Sequence, residues 1–332
     1  MNAVMTRLAG VCAAAVVALG LAGCKTNPAT GERYFSMTSS EQIAAMGVQA
    51  APELTRQFGG EVPSAPARAY VKEIGLRLAA QVEPEFKNIP WEFTLLNSPV
   101  VNAFALPGGK IFISRGLVEQ MSDEAQLAGV LGHEVGHVTA EHIARRIGQQ
   151  QLFQIGMQAS GLAVNAAGEA AAGVGQVLLP ALNVGGQLTL LKFGREEESQ
   201  ADELGIRYMI KAGYDPKAQL QVMEILKGSE NSSRPPEFLS THPMPETRIR
   251  QVQGLLNGQF REAANSPNLV RNQQQFQSRL LSVLRSLPPA PEPQASPEPE
   301  QQPQQLRGQR QQIRATPERR APPPDQVIGR PR

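Results

Sequence analysis

The run His133-Glu134-Val135-Gly136-His137 constrains this chain more than any other stretch of it. It lies in a segment that begins at Ser122 or Asp123, both good N-caps, with Glu124 in the first turn, so the sequence predicts a long helix there. On a helix, positions i and i+4 stand one above the other on one face, and two imidazoles so placed can share a metal ion. The glutamate beside the first imidazole is then placed to move a proton of a water on that ion. The ordinary use of a lone histidine on an apolar helix is structural. Here three of the four histidines of a 332-residue chain (His133, His137 and His142) fall within ten positions, which favours a metal site; the fourth is His242.

A catalytic zinc keeps three protein ligands and one open position, so the pair at 133 and 137 needs a partner. The candidates are His142, His242 and the acidic run Glu196-Glu197-Glu198. His142 follows His137 by five residues, about 140° further round a continuous helix, and is expected to point away from the metal. Glu198 and Asp202 are again i and i+4. One carboxylate could reach the ion while the other holds the second nitrogen of a ligating imidazole. Successive glutamates are also what a solvated helix start carries, because the helix dipole favours acids there. Residue types alone leave those two readings level.

The rest of the chain supplies the frame. The sequence predicts a helix over Ser39 to Phe58 broken by Pro52, an amphipathic helix over Ala67 to Val82 and a strand over Trp91 to Leu96. Val100 to Ala105 and Lys110 to Ser114 form a hairpin across Leu106-Pro107-Gly108-Gly109. Further helices are expected up to Lys211, over Pro216 to Leu226, over Pro245 to Leu256 and over Asn268 to Leu287. Long helices around one short sheet and hairpin make an α+β, predominantly helical fold. Between Gln149 and Leu191 the only charge is Glu169, but Pro180 and scattered Gln and Asn argue against a membrane span. That stretch is expected to form helices with a mobile connection beside the site.

The two ends differ in kind. Arg7 followed by the apolar run Leu8 to Ala22 reads as a signal peptide (residues 1–23), and Leu21-Ala22-Gly23-Cys24 resembles the bacterial lipobox, with Cys24 as the lipidated first residue of the mature chain. Cys12 is the only other cysteine, so no disulfide is expected. Lys25, where an aspartate would resemble inner-membrane retention, favours the outer membrane. Residues 24–38 read as a post-anchor linker, and 261–287 as a C-terminal helix. From Pro288 to Arg332 the chain is Pro-, Gln- and Arg-rich and is expected to stay extended, its partner unidentified. The net charge of +2 is spread along the chain and gives no nucleic-acid footprint.

Four motifs in order carry a family resemblance: Asn102-Ala103-Phe104-Ala105-Leu106-Pro107-Gly108-Gly109, His133-Glu134-x-x-His137, Glu198-x-x-Ala201-Asp202 and Thr241-His242-Pro243. Together they resemble the zinc metallopeptidase family of HtpX, LoiP and BepA, which also holds the CaaX prenyl protease and the mitochondrial Oma peptidase. The resemblance implies a zincin-type domain over residues 39–260 with one Zn2+ per subunit. It implies that His133, His137 and Glu198 bind the ion, that Glu134 is the general base, and that Asp202 supports a ligand from behind. His242 would gate the metal or contact the transition state. The strand carrying Asn102, Ala103, Phe104 and Ala105 would take substrate backbone as an added strand. The implied activity is a periplasmic, lipid-anchored endopeptidase for unfolded or misassembled envelope proteins. The alternative is an envelope chaperone or assembly factor with latched proteolysis. No helical repeat array follows the catalytic region, unlike BepA, and no set of membrane helices is present, unlike HtpX.

Overall fold

Alternation along three short strands sets the architecture. In the computed structural model, β3 (Glu92–Leu96), β4 (Ala103–Leu106) and β5 (Lys110–Ser114) form one sheet in the order β3-β5-β4. β3 runs parallel to β5, and β4 is antiparallel to it with Phe104 opposite Phe112, the hairpin expected from the sequence. Both faces are covered, so both sets of alternating side chains are apolar. Leu95, Ala103, Ile111 and Ile113 join the larger core, and Leu96, Phe104, Leu106 and Phe112 join a second one. Gly108 and Gly109, both at φ +76, make the tight connection that other residues would strain.

The structure describes residues 24–165, 192–229, 236–243 and 246–293, with the side chains of 154–165 excepted. The expected leader (1–23), most of the Gly/Ala-rich stretch (166–191) and the tail from 294 lie outside the described residues. Among those described, no helix is long and apolar enough to cross a membrane. The helices that matter for the site are α1 (Ser40–Gln57), α2 (Ala65–Ala79), α3 (Glu124–Thr139), α4 (His142–Asn165), α5 (Arg195–Lys211), α6 (Lys217–Gly228) and α7 (Glu246–Asn257). α2 and α3 cover one face of the sheet through Ile74, Leu78, Leu131 and Val135; α1 and α4 contribute Ile43, Leu54, Ile143 and Ile147 to the core on the other. The last helix is interrupted by a π-helical turn, Gln277–Leu281.

Two expectations change. Pro52 does not break its helix: α1 runs through it. Pro52 and Val48, whose carbonyl it strands, are both exposed, so water can satisfy the freed oxygen. The stretch 24–38, expected as a linker, contains a folded hairpin of β1 (Cys24–Thr26) and β2 (Arg33–Phe35), with Cys24 exposed. This arm is stapled to the junction of α3 and α4. Asn27 Nδ2 donates to the Thr139 carbonyl at 2.8 Å, Tyr34 Oη donates to Glu141 Oε2 at 2.7 Å, and Arg145 Nη1 donates to Glu32 Oε2 at 2.6 Å.

Candidate metal centre

α3 is buried on every side, from Glu124 through His137. A helix of that kind belongs in a core. Asp123 caps it, its carboxylate accepting the Gln126 N–H at 3.0 Å. Its nearest partner is α5, and glycine makes the approach possible. A Cβ added at Gly136 would lie 2.8 Å from the Ala201 carbonyl oxygen, and one at Gly205 would lie 2.9 Å from the His133 nitrogen. The two backbones therefore run close enough for the short reach of a Glu198 side chain to meet imidazoles on α3.

Four side chains converge there. His133 Nε2 and His137 Nε2 are 3.0 Å apart, and His242 Nδ1 is 3.4 Å from His133 Nε2. Glu198 Oε1 lies 2.9 Å from His242 Nδ1 and 3.5 Å from His137 Nε2. All four offer a ligand atom within 4.8 Å of one another, and all four are buried. Ligands about 2.05 Å from a tetrahedral zinc are separated by roughly 3.3 Å, so these spacings fit such an ion. Beside them Glu134 is fully buried, with neither carboxylate oxygen hydrogen-bonded within the protein. His242 Nε2 lies 3.7 Å from its Oε1.

Electrostatics keeps the donors in useful forms. Burial drives His137 well below its ordinary pKa, so its ring is neutral. Burial opposes ionisation of Glu198, but Arg248 and His242 outweigh it and hold the carboxyl well below its usual range. Burial raises the pKa of Glu134 above the usual carboxylate value. His242 is disfavoured as a cation by burial, yet the Glu198 and Glu134 carboxylates lift its pKa above the ordinary value.

Behind these groups stands a second layer of contacts. Asp202 Oδ1 accepts His133 Nδ1–H at 2.9 Å and Gln219 Nε2–H at 3.1 Å. Arg248 Nε donates to Asp202 Oδ2 at 2.6 Å, and its Nη1 also pairs with Glu198. Asp202 stays below its usual pKa because this guanidinium outweighs the cost of burial. The loop carrying His242 is held by His242 N–H donating to the Phe238 carbonyl at 2.9 Å, and the two rings stack at 4.3 Å.

The structure thus brings together His133, Glu134, His137, Glu198, Asp202 and His242. The strand residues lie on the sheet edge, packed beside α3. Among the described residues β4 pairs with β5 alone, and Ala105 and Leu106 line a cleft of about 570 Å³ that reaches His137. Asn102 precedes the strand; its carbonyl accepts the Ser114 N–H at 2.9 Å and its own N–H donates to Ser114 Oγ at 3.0 Å. Cys24 lies in the arm, and the adjoining Lys25 and Thr26 line the same cleft.

His142 is a correction. It lies outside the cluster of four donors, yet it does not point away: its Nδ1 lies 2.8 Å from His137 Nδ1. The 140° arithmetic assumed one continuous helix, whereas the chain breaks at Glu141, which has φ 54. Gln219 and Arg248 were not identified from sequence. An arginine six residues after His242, at the start of a helix, gave no local sign that it would be buried.

A fully buried helix bearing His-Glu-x-x-His, with a third carboxylate donor delivered by a neighbouring helix, defines a metallopeptidase. Residues 66–256 match the model described as Peptidase family M48, and the chain belongs to that family. It is 31% identical over 264 residues to the beta-barrel assembly-enhancing protease of Escherichia coli, covering 77% of this chain and 52% of that one. It is 30% identical over 231 residues to the mitochondrial metalloendopeptidase OMA1 of Schizosaccharomyces pombe, covering 68% and 64%. The human mitochondrial metalloendopeptidase OMA1 is 26% identical over 270 residues, covering 74% and 48%. The chain spans about half the length of the bacterial relative.

Proposed function

We propose that the chain is a zinc-dependent endopeptidase, lipid-anchored through Cys24 at the periplasmic face of the outer membrane, that degrades misfolded or misassembled envelope proteins. The observation that carries the chemistry is the meeting of His133, His137 and Glu198 donors beside a buried Glu134 with no other partner. The signal-like leader and Lys25 support the location, and the role named for the bacterial relative, beta-barrel assembly enhancement, supports an envelope substrate.

His133, His137 and Glu198 would hold the zinc, which when bound would acidify a water and polarise the scissile carbonyl. Glu134 takes the proton from the attacking water and returns it to the leaving amine. Asp202 fixes the His133 proton on Nδ1, which leaves the Nε2 lone pair free for a metal. The edge of β4 that pairs with no strand among the described residues would offer backbone groups to a substrate strand, which demands little of substrate side chains and suits unfolded chains.

The test is Glu134→Gln against wild type in casein cleavage, with zinc measured in both. Turnover should fall by about 10² to 10⁴ at unchanged zinc content. Cleavage that persists after chelator controls would sink the assignment of the base. A second reading, an envelope chaperone with latched proteolysis, is favoured by His242 Nδ1 sitting inside the ligand cluster. Equal rescue of an envelope defect by Glu134→Gln and wild type would select it.

A further inference from the structure

Both nitrogens of His142 are committed, and they link the metal centre to the N-terminal arm. Nδ1 is 2.8 Å from His137 Nδ1, and Nε2 is 3.1 Å from Gln200 Oε1. Gln200 Nε2 in turn donates to Glu32 Oε1 at 2.6 Å, while Glu32 Oε2 accepts from Arg145 Nη1 at 2.6 Å.

The far end of this chain of hydrogen bonds fixes the direction of every proton in it. A carboxylate only accepts, so Gln200 must turn its NH2 towards Glu32 and its carbonyl oxygen towards His142. An amide oxygen also only accepts, so His142 carries its proton on Nε2 and leaves Nδ1 bare. The bare Nδ1 can only accept, and among the described residues the donor in reach is His137 Nδ1–H. That leaves the lone pair of His137 Nε2 directed at the point shared with His133, Glu198 and His242. Run backwards, the same chain would put a proton on His137 Nε2, where a metal has to bind.

We propose that His142 is a positioning residue for the metal ligand His137, and that Glu32, acting through Gln200, sets the ring proton that makes it one. The inference rests on His137 being a metal ligand. It makes the arm part of the site, although Glu32 lies outside residues 66–256, where the family match falls. The arm is well placed for this: its contacts with Thr139, Glu141 and Arg145 hold the left-handed turn at Glu141 that brings His142 back against His137.

The test uses the full chain with zinc as the only probe. His142→Phe keeps a ring of similar size and removes the acceptor, while His142→Asn returns an acceptor oxygen near the position of Nδ1. Zinc affinity, measured by competition with a chromophoric chelator, should fall about 10- to 100-fold in His142→Phe and recover most of that in His142→Asn. Glu32→Ala, at a part-exposed position, frees the Gln200 amide to turn over and should lower affinity less, in the same direction. Nitrogen NMR of the metal-free wild type should find the His137 proton on Nδ1. A proton on Nε2, or wild-type zinc affinity in His142→Phe, overturns the proposal while leaving His137 as a ligand. Wild type that binds no zinc removes the ligand assignment and the proposal together. Should His142→Phe fail to fold, Glu32→Ala and the wild-type spectrum decide.

Discussion

Gly136→Ala should disable the metal centre although it touches no ligand. In a solvent-facing helix the exchange is favourable by about 1 kcal/mol, because alanine restricts the unfolded chain and glycine does not. At position 136 the new methyl carbon would stand 2.8 Å from the Ala201 carbonyl oxygen and 3.0 Å from its Cα, about 0.6 Å short of ordinary contact at 3.4 Å. Both obstacles are backbone, so only separation of α3 from α5 relieves them. Overpacking of this kind costs about 1–3 kcal/mol, which cancels or exceeds the propensity gain. The effect on the metal is larger in proportion. His137 is the next residue and Glu198 lies one turn before Ala201, while metal–ligand distances tolerate only about 0.2 Å. Zinc affinity should fall by on the order of 10-fold or more, and casein cleavage with it. Two controls bracket the result. Gly132→Ala would place its methyl 3.2 Å from the Gly205 oxygen and should be mild; Gly254→Ala, in α7 with nothing within 4 Å, should only stabilise. Melting curves of metal-free protein and zinc competition read both quantities. If Gly136→Ala behaves like Gly254→Ala, stabilised and with zinc affinity unchanged, the argument from helix approach is wrong.

Arg248→Met strands the buried carboxylates of Asp202 and Glu198 and should destabilise the metal-free protein by about 3–5 kcal/mol in denaturant titration. His242→Ala should weaken zinc binding yet raise casein cleavage, since His242 Nδ1 sits inside the ligand cluster; loss of cleavage at equal zinc content would make His242 a helper instead. Burial pushes the His142 imidazole down to about 4 from 6.5. Between those values the unfolded chain binds a proton that the folded chain refuses, so stability falls as pH falls from 6.5 to 4. At 1.36 kcal/mol per pH unit the loss reaches about 3 kcal/mol, and His142→Asn should flatten that part of the melting profile of metal-free protein.

The strongly periodic parts of the chain could be read directly. β4 and β5 announced themselves by apolar runs on either side of Pro107-Gly108-Gly109, and α2 by Tyr70, Val71, Ile74 and Leu78 at helical spacing. What failed to show was whatever depends on contacts between distant residues. Pro52 carries a local breaking signal, and only the solvent exposure of its turn makes that signal harmless. The break between α3 and α4 has no signal of its own. Glu141 holds its left-handed backbone under Asn27 and Tyr34, more than one hundred residues earlier, so His142 could not be placed by counting along a helix. Arg248 was hidden for the same reason: an arginine in a polar helix reads as solvated until Asp202 and Glu198 are seen to surround it.

The candidate site divides along the same line. The pentad is local, and a single helix suffices to stack His133 over His137. Glu198 and Asp202 share a second helix face by spacing alone, yet the spacing does not say where that face points. Gly132 and Gly136 of α3 against Ala201 and Gly205 of α5 decide it. They let two buried helices approach until one carboxylate meets the imidazoles and the other reaches behind His133. Substituting a ligand therefore removes one donor, whereas widening the glycine seam moves Glu198 and Asp202 together, and the donor geometry and the orientation of His133 fail in one step.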